Sequence, residues 1–156
     1  MGRFPFKKTA IALCAAAAAL FPFAALASER IPNDPLFADQ WYLKKIGAPT
    51  AWVRTLGFEG VPVAIIDSGV DIGHPDLRDN VWRNTGEIAG DGVDNDGNGY
   101  IDDVNGWDFI DNDNDPRPSA GAGYSVLGMN HGTIGSGMIA AKGDNGQGIV
   151  GVTWQS

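Results

Sequence analysis

Asp67 and His131 are the residues of this chain best placed to do acid–base chemistry. Val61 to Gly69 reads VPVAIIDSG, an apolar run that stops on the aspartate; Asn130 to Ala141 reads NHGTIGSGMIAA and opens on the histidine. A carboxylate and an imidazole are the two supporting members of a Ser-His-Asp nucleophilic site. The carboxylate accepts the imidazole N–H, fixes its tautomer and stabilises the imidazolium that forms when a serine is deprotonated. Such a carboxylate needs a rigid seat, which a buried strand end provides, and the first turn of a helix holds a histidine firmly. A serine in a setting suited to the nucleophile does not occur among the 156 residues. Ser68 and Ser136 lie in or beside the two runs without occupying that place.

The elements that must position this pair can be read from the pattern around it. Val61 to Ile66 is continuously apolar and rich in β-branched residues, the mark of a strand buried on both faces of a parallel sheet. The stretch from about Gly132 to Ala141 predicts a helix whose small positions, Gly135 and Ala140, let it lie close to a sheet. Pro49 to Leu56 predicts a short helix with proline in its first turn and Gly57 just past its end. Trp107 to Ile110 is a brief strand candidate, and Ser28 to Gln40, with Pro32 and Pro35, an extended arm. Strand, crossover, short strand and helix together predict the beginning of a parallel α/β sheet, with chemistry at the carboxyl ends of its strands. Two strands do not complete such a sheet, so the expected domain stops before its second half.

Residues 1–27 read as an export signal. Arg3, Lys7 and Lys8 precede an apolar stretch, and Ala25-Leu26-Ala27 has the small-x-small pattern of a cleavage site. The expected product, residues 28–156, is exported to the periplasm or the medium without a membrane anchor. Cys14 is the only cysteine and leaves with the signal, so no disulfide is available. Three of the eleven basic residues also fall in the signal, leaving eight against nineteen acidic ones. That surface repels nucleic acid and anionic lipid and attracts cations.

The acid is concentrated. Asp94-Asn95-Asp96-Gly97-Asn98-Gly99-Tyr100-Ile101-Asp102-Asp103 alternates oxygen-bearing side chains with small residues, inside a glycine-rich insertion running from about 83 to 106. Calcium takes six to eight oxygen ligands. Asp94, Asp96 and Asn98 fall at positions 1, 3 and 5 of a calcium loop, the Tyr100 carbonyl follows, and Asp102 or Asp103 closes the shell. Asn105 stands where a bidentate Glu would end an EF-hand, so the loop is EF-hand-like outside that fold. The competing reading is a solvated acidic turn.

Three ordered segments resemble the subtilases, the subtilisin-like serine proteases. They are Ile66-Asp67-Ser68-Gly69-Val70 with His74-Pro75-Asp76-Leu77, then His131-Gly132-Thr133 with Ser136-Gly137, then Gly148-Ile149-Val150-Gly151-Val152. The resemblance extends over roughly residues 33 to 154. It implies a subtilisin-like α/β domain, peptide-bond hydrolysis in protein or peptide substrates, Asp67 and His131 as triad residues, and calcium as cofactor. It further implies a second calcium site between Asp34, Asp76 and the stretch around Asp144 and Asn145, for which ion pairing with Arg78 or Lys142 is the alternative. Two positions depart from the family: Ile134 replaces a frequent second histidine, and Asn130 a usual glycine. The short spacing after the signal is also expected to leave no room for an N-terminal pro-domain. The expectation is therefore the first portion of a secreted serine endopeptidase, lacking its serine; the alternative is a non-catalytic exported calcium-binding module or a degenerate, truncated subtilase.

Overall fold

The computed structural model describes residues 28–58, 60–119 and 125–155. The expected signal lies outside them, and no helix among the described residues is long and apolar enough to cross a membrane. The chain enters as an arm, tightens into a 3-10 turn at Phe37–Asp39, and forms two short helices, α1 (Trp41–Lys45) and α2 (Ala48–Ala51). Gly47 joins them at φ +75°, a left-handed conformation that glycine adopts without steric cost. Pro49 sits in the first turn of α2, where its missing N–H costs nothing. Two later helices, α3 (Val126–Met129) and α4 (His131–Ala140), follow one another directly.

The core gathers where the arm meets the C-terminal segment. Phe37, Leu43, Ala48, Trp52, Val150 and Trp154 pack together, with Trp52 and Trp154 rings 5.0 Å apart at a tilt of 58°. Leu43 and Val150 are fully enclosed. The buried Gln40 side chain clamps this junction: its amide donates to the Val150 carbonyl at 2.8 Å and accepts the Val150 N–H at 2.9 Å. The segment after α4 then turns back along it, with Val152 and Thr153 donating to the carbonyls of Met138 and Ile139. That approach requires small residues. A Cβ at Gly151 would lie 2.6 Å from the Ala140 and Ala141 nitrogens. The face of α4 that is buried consists of Gly132, Ser136 and Gly137.

The expected sheet is not seen among the described residues. Val61 to Ile66 forms no strand and is exposed except for the half-buried Ile65, with Ile66 at 94%, and the β pairing present consists of two isolated bridges, Gly57 with Gln155 and Asp108 with Asp113. An apolar, β-branched run supplies the side chains of a buried strand but not its partners: the Val61 N–H turns back on the Phe58 carbonyl, and no β pairing is formed by 61–66 among the described residues. Trp107 to Ile110 shrinks to the Asp108 bridge because the Asp108 carboxylate accepts the N–H groups of Ile110 and Asp111 and turns the chain. The Pro49–Leu56 helix ends early, at Ala51, with Arg54 and Thr55 still bonded to the Ala51 carbonyl in a turn.

The Gln40 clamp gives a direct test. Gln40→Ala leaves a buried Val150 N–H and C=O without partners, each costing about 1–3 kcal/mol. Chemical denaturation is expected to show a loss of at least the lower figure, whereas a change within about 0.5 kcal/mol, the usual surface range, contradicts the clamp.

Candidate active site

Asp67 and His131, 64 positions apart, meet. His131 Nδ1 lies 2.8 Å from Asp67 Oδ2 and 3.0 Å from Oδ1. An ionised carboxylate only accepts, so Nδ1 carries the hydrogen and Nε2 is left as the basic nitrogen. The histidine side chain is 72% exposed and the aspartate side chain 26%, so the ring is open to an incoming group while the carboxylate is seated. The seat comes from the turn after the extended run. The Ser68 N–H donates to Asp67 Oδ1 at 2.7 Å; it is the main cause, ahead of the His131 ring, that holds the Asp67 carboxyl below its ordinary range. Opposite stands the first turn of α4. A Cβ at Gly132 would lie 2.3 Å from the Gly69 carbonyl oxygen and 3.1 Å from Asp67 Cβ, so glycine is what lets the two backbones touch.

The acidic insertion closes on itself, with Asn84 N–H bonded to the Val104 carbonyl at 2.7 Å and the Asn105 amide to the Trp82 carbonyl at 2.8 Å. The sequence-predicted oxygens divide into two sets. Asp94 accepts the N–H groups of Gly97, Asn98 and Gly99, and Asp102 those of Gly90, Asp91 and Gly92; both carboxylates fold the loop. Asp96 and Asp103 also converge with Glu87, one oxygen from each lying within 4.8 Å of the others, while Glu87 accepts the N–H groups of Asn95, Asp96 and Asp102, and Asp96 that of Asn98. Asn84 donates to both Asp96 and Asp103, as does Asn98. The Tyr100 ring packs on Trp107 at 5.0 Å. Glu87 was not among the expected ligands: it stands seven positions before the loop pattern, and only the chain reversal at Asn84 brings it in.

The carboxylates of the expected arm site meet the loop after α4. Asp34 and Asp76 are each 4% exposed. Asp34 Oδ2 accepts the Asp144 N–H at 2.7 Å, while Asp76 accepts from the Asn145 amide at 2.8 Å and the Ile149 N–H at 3.0 Å. Asp34 Oδ1 is buried without a hydrogen-bond partner. Burial above all, with the Asp76 charge adding to it, pushes the Asp34 carboxyl up. Arg78 lies against Asp79 instead, at 3.7 Å.

Comparison with known proteins decides the family. The profile described as Subtilase family matches residues 59–156. The chain belongs to the subtilase family. Among its relatives, subtilisin-like protease 1 of Plasmodium berghei is 37% identical over 123 residues, covering 77% of this chain and 19% of that protein. Thermitase of Thermoactinomyces vulgaris is 36% identical over 121 residues, covering 77% of this chain and 32% of that protein. A halolysin-like extracellular serine protease of Natrialba magadii is 28% identical over 123 residues, covering 79% and 18%. This subtilase chain thus spans less than a third of each. Subtilases are α/β proteins, which sets the fold class although the parallel sheet is not formed among the described residues.

Two outcomes follow for this subtilase. Gly132→Ala is expected to force the Asp67 turn and α4 apart, at the roughly 1–3 kcal/mol of overpacking, and to lengthen the Asp67–His131 contact. A crystal structure of the variant with the pair still at hydrogen-bond distance contradicts this. The second concerns acid. A carboxyl whose folded pKa is lowered favours the fold fully above its unfolded value, about 3.9, and loses that contribution as pH falls through the lower folded value. The Asp67 carboxyl carbon resonance is therefore expected to titrate with a midpoint below about 3.9. A midpoint at or above that value contradicts the seat that the Ser68 N–H and the His131 ring give the carboxylate.

Proposed function

We propose that the chain carries the Asp–His half of the catalytic triad of an exported, calcium-stabilised serine endopeptidase that cleaves protein or peptide substrates. The 2.8 Å contact between His131 Nδ1 and Asp67 carries this reading. Asp67 holds the ring with Nε2 outward. When a serine hydroxyl is presented there, Nε2 takes its proton, Asp67 stabilises the imidazolium, and the ring passes the proton to the leaving amine. Family membership and the extracellular protease of N. magadii support proteolysis and export. The incomplete parallel sheet expected from the sequence belongs to the same reading, with Val61 to Ile66 as a strand awaiting neighbours.

Calcium fits both acidic groupings. The buried, partnerless Asp34 Oδ1 beside Asp76 is an oxygen that a cation satisfies, and the converging carboxylates of Glu87, Asp96 and Asp103 are hard donors of the kind calcium takes. Asn98 and the Tyr100 carbonyl belong to the loop group, while Asp94 and Asp102 shape its backbone. Bound calcium supplies the positive charge that lets these carboxylates sit together; without a disulfide, it also stabilises the fold by mass action.

The acidic groupings support a second reading, an exported calcium-binding module without catalysis. The codons that follow Ser156 separate the two. A frame open to a Gly-Thr-Ser motif supports the protease, and an in-frame stop the module. Residues 28–156 alone are expected to leave casein intact; digestion abolished by a serine-directed inhibitor contradicts that assignment. Titration calorimetry is expected to show calcium heat that falls in Glu87→Gln and Asp96→Ala. Equal heats in all three proteins remove the loop site.

A further inference from the structure

Helix α4 begins on the histidine, and its first N–H groups have no partners within the helix. The residue in the capping place, Asn130, makes no side-chain cap bond. A residue from the other half of the site does so instead. Ser68 Oγ accepts the Gly132 N–H at 3.2 Å and donates to the Met129 carbonyl at 3.0 Å. One hydroxyl thus grips the backbone on both sides of His131. The backbone N–H of the same residue holds the Asp67 carboxylate.

We propose that Ser68 is a positioning residue that caps α4 from a distance and thereby sets the seat of the His131 ring against Asp67. This rests on the reading of that pair as the proton-transfer half of the site. A local cap on Asn130 would order the helix start without reference to the carboxylate; Ser68 ties the helix start to the very turn that presents it. The chemistry demands a hydroxyl, because one atom must both accept and donate. Alanine does neither. Aspartate accepts only, strands the Met129 carbonyl and sets a second negative charge beside Asp67. Threonine keeps the hydroxyl. The expected order at this position is Ser and Thr together, with Ala far behind.

The chain has two histidines, and His74, whose Nδ1 accepts the Asp76 N–H at 3.2 Å, is an internal reference. In the full chain labelled with nitrogen-15 at histidine, the His131 Nδ1–H proton is expected to exchange with water about tenfold faster in Ser68→Ala, the scale of losing one to two net hydrogen bonds. Ser68→Thr is expected to stay within about twofold of the wild type, and the His74 signals to be unmoved in both. Asp67→Asn is the reference for the pair itself and is expected to shift the His131 ring nitrogens. If Asp67→Asn shifts them while Ser68→Ala leaves the exchange rate unchanged, or Thr loses as much as Ala, the capping role is wrong and the pair stands. If Asp67→Asn leaves the His131 signals where they were, both the pair and the role proposed for Ser68 fall.

Discussion

Backbone contact between the Asp67–Gly69 turn and the first turn of α4 is the constraint on which the site rests. Neither partner is held by a sheet in the described structure, so the register between carboxylate and imidazole depends on how closely two chain segments approach. Gly132 permits that approach by having no side chain, and Gly69, at φ +101°, brings its own carbonyl to the meeting point. From the other side Gly69 is pressed by Pro116 to Pro118, and the Val70 N–H reaches the Pro116 carbonyl at 2.9 Å. The turn is therefore held between two segments, one of which bears the histidine.

A second constraint runs through the ends of the chain. The arm is bound to the C-terminal segment by the Gln40 amide, by Leu36 N–H on the Gly148 carbonyl, and by Arg30 over the Trp154 ring at 4.8 Å. Asn80 reaches across to the Ala140 and Trp154 carbonyls. These ties join residues 60 or more positions apart, and the Asn80 bond to the Ala140 carbonyl holds the end of α4. The two acidic groupings add ties of the same kind, since each draws carboxylates from separated stretches. In a chain with no disulfide after the expected cleavage, polar cross-ties of this length substitute for covalent ones.

The residues of the pair were legible from sequence because their chemistry resides in their types: an aspartate ending an apolar run and a histidine opening a small-residue helix. The helix itself was legible within a residue at each end, but its buried face is Gly132, Ser136 and Gly137 rather than the expected small positions Gly135 and Ala140, which are only half-buried. The strand was not, because pairing belongs to the neighbours of a segment rather than to the segment. Glu87 escaped for a similar reason. A ligand pattern is a local spacing, and Glu87 joins Asp96 and Asp103 only after the insertion doubles back. From sequence, Ser68 is only a serine outside the nucleophile's place; its hydroxyl bonds are to backbone atoms beyond the reach of any spacing argument.

The exposed run before Asp67 governs how the molecule behaves in solution. Val61, Val63 and Ile66 present uncharged, β-branched side chains to solvent, the composition of a strand that can pair. Pro62 removes one backbone donor from the run and opposes such pairing. The other opposing force is the net charge of −8, which keeps copies apart over a distance of about 10 Å at 0.1 M salt and less as salt rises. The balance expected in solution is between this electrostatic barrier and the exposed apolar side chains. Added salt lowers that barrier, and divalent cations lower it further by neutralising the loops that carry most of the charge.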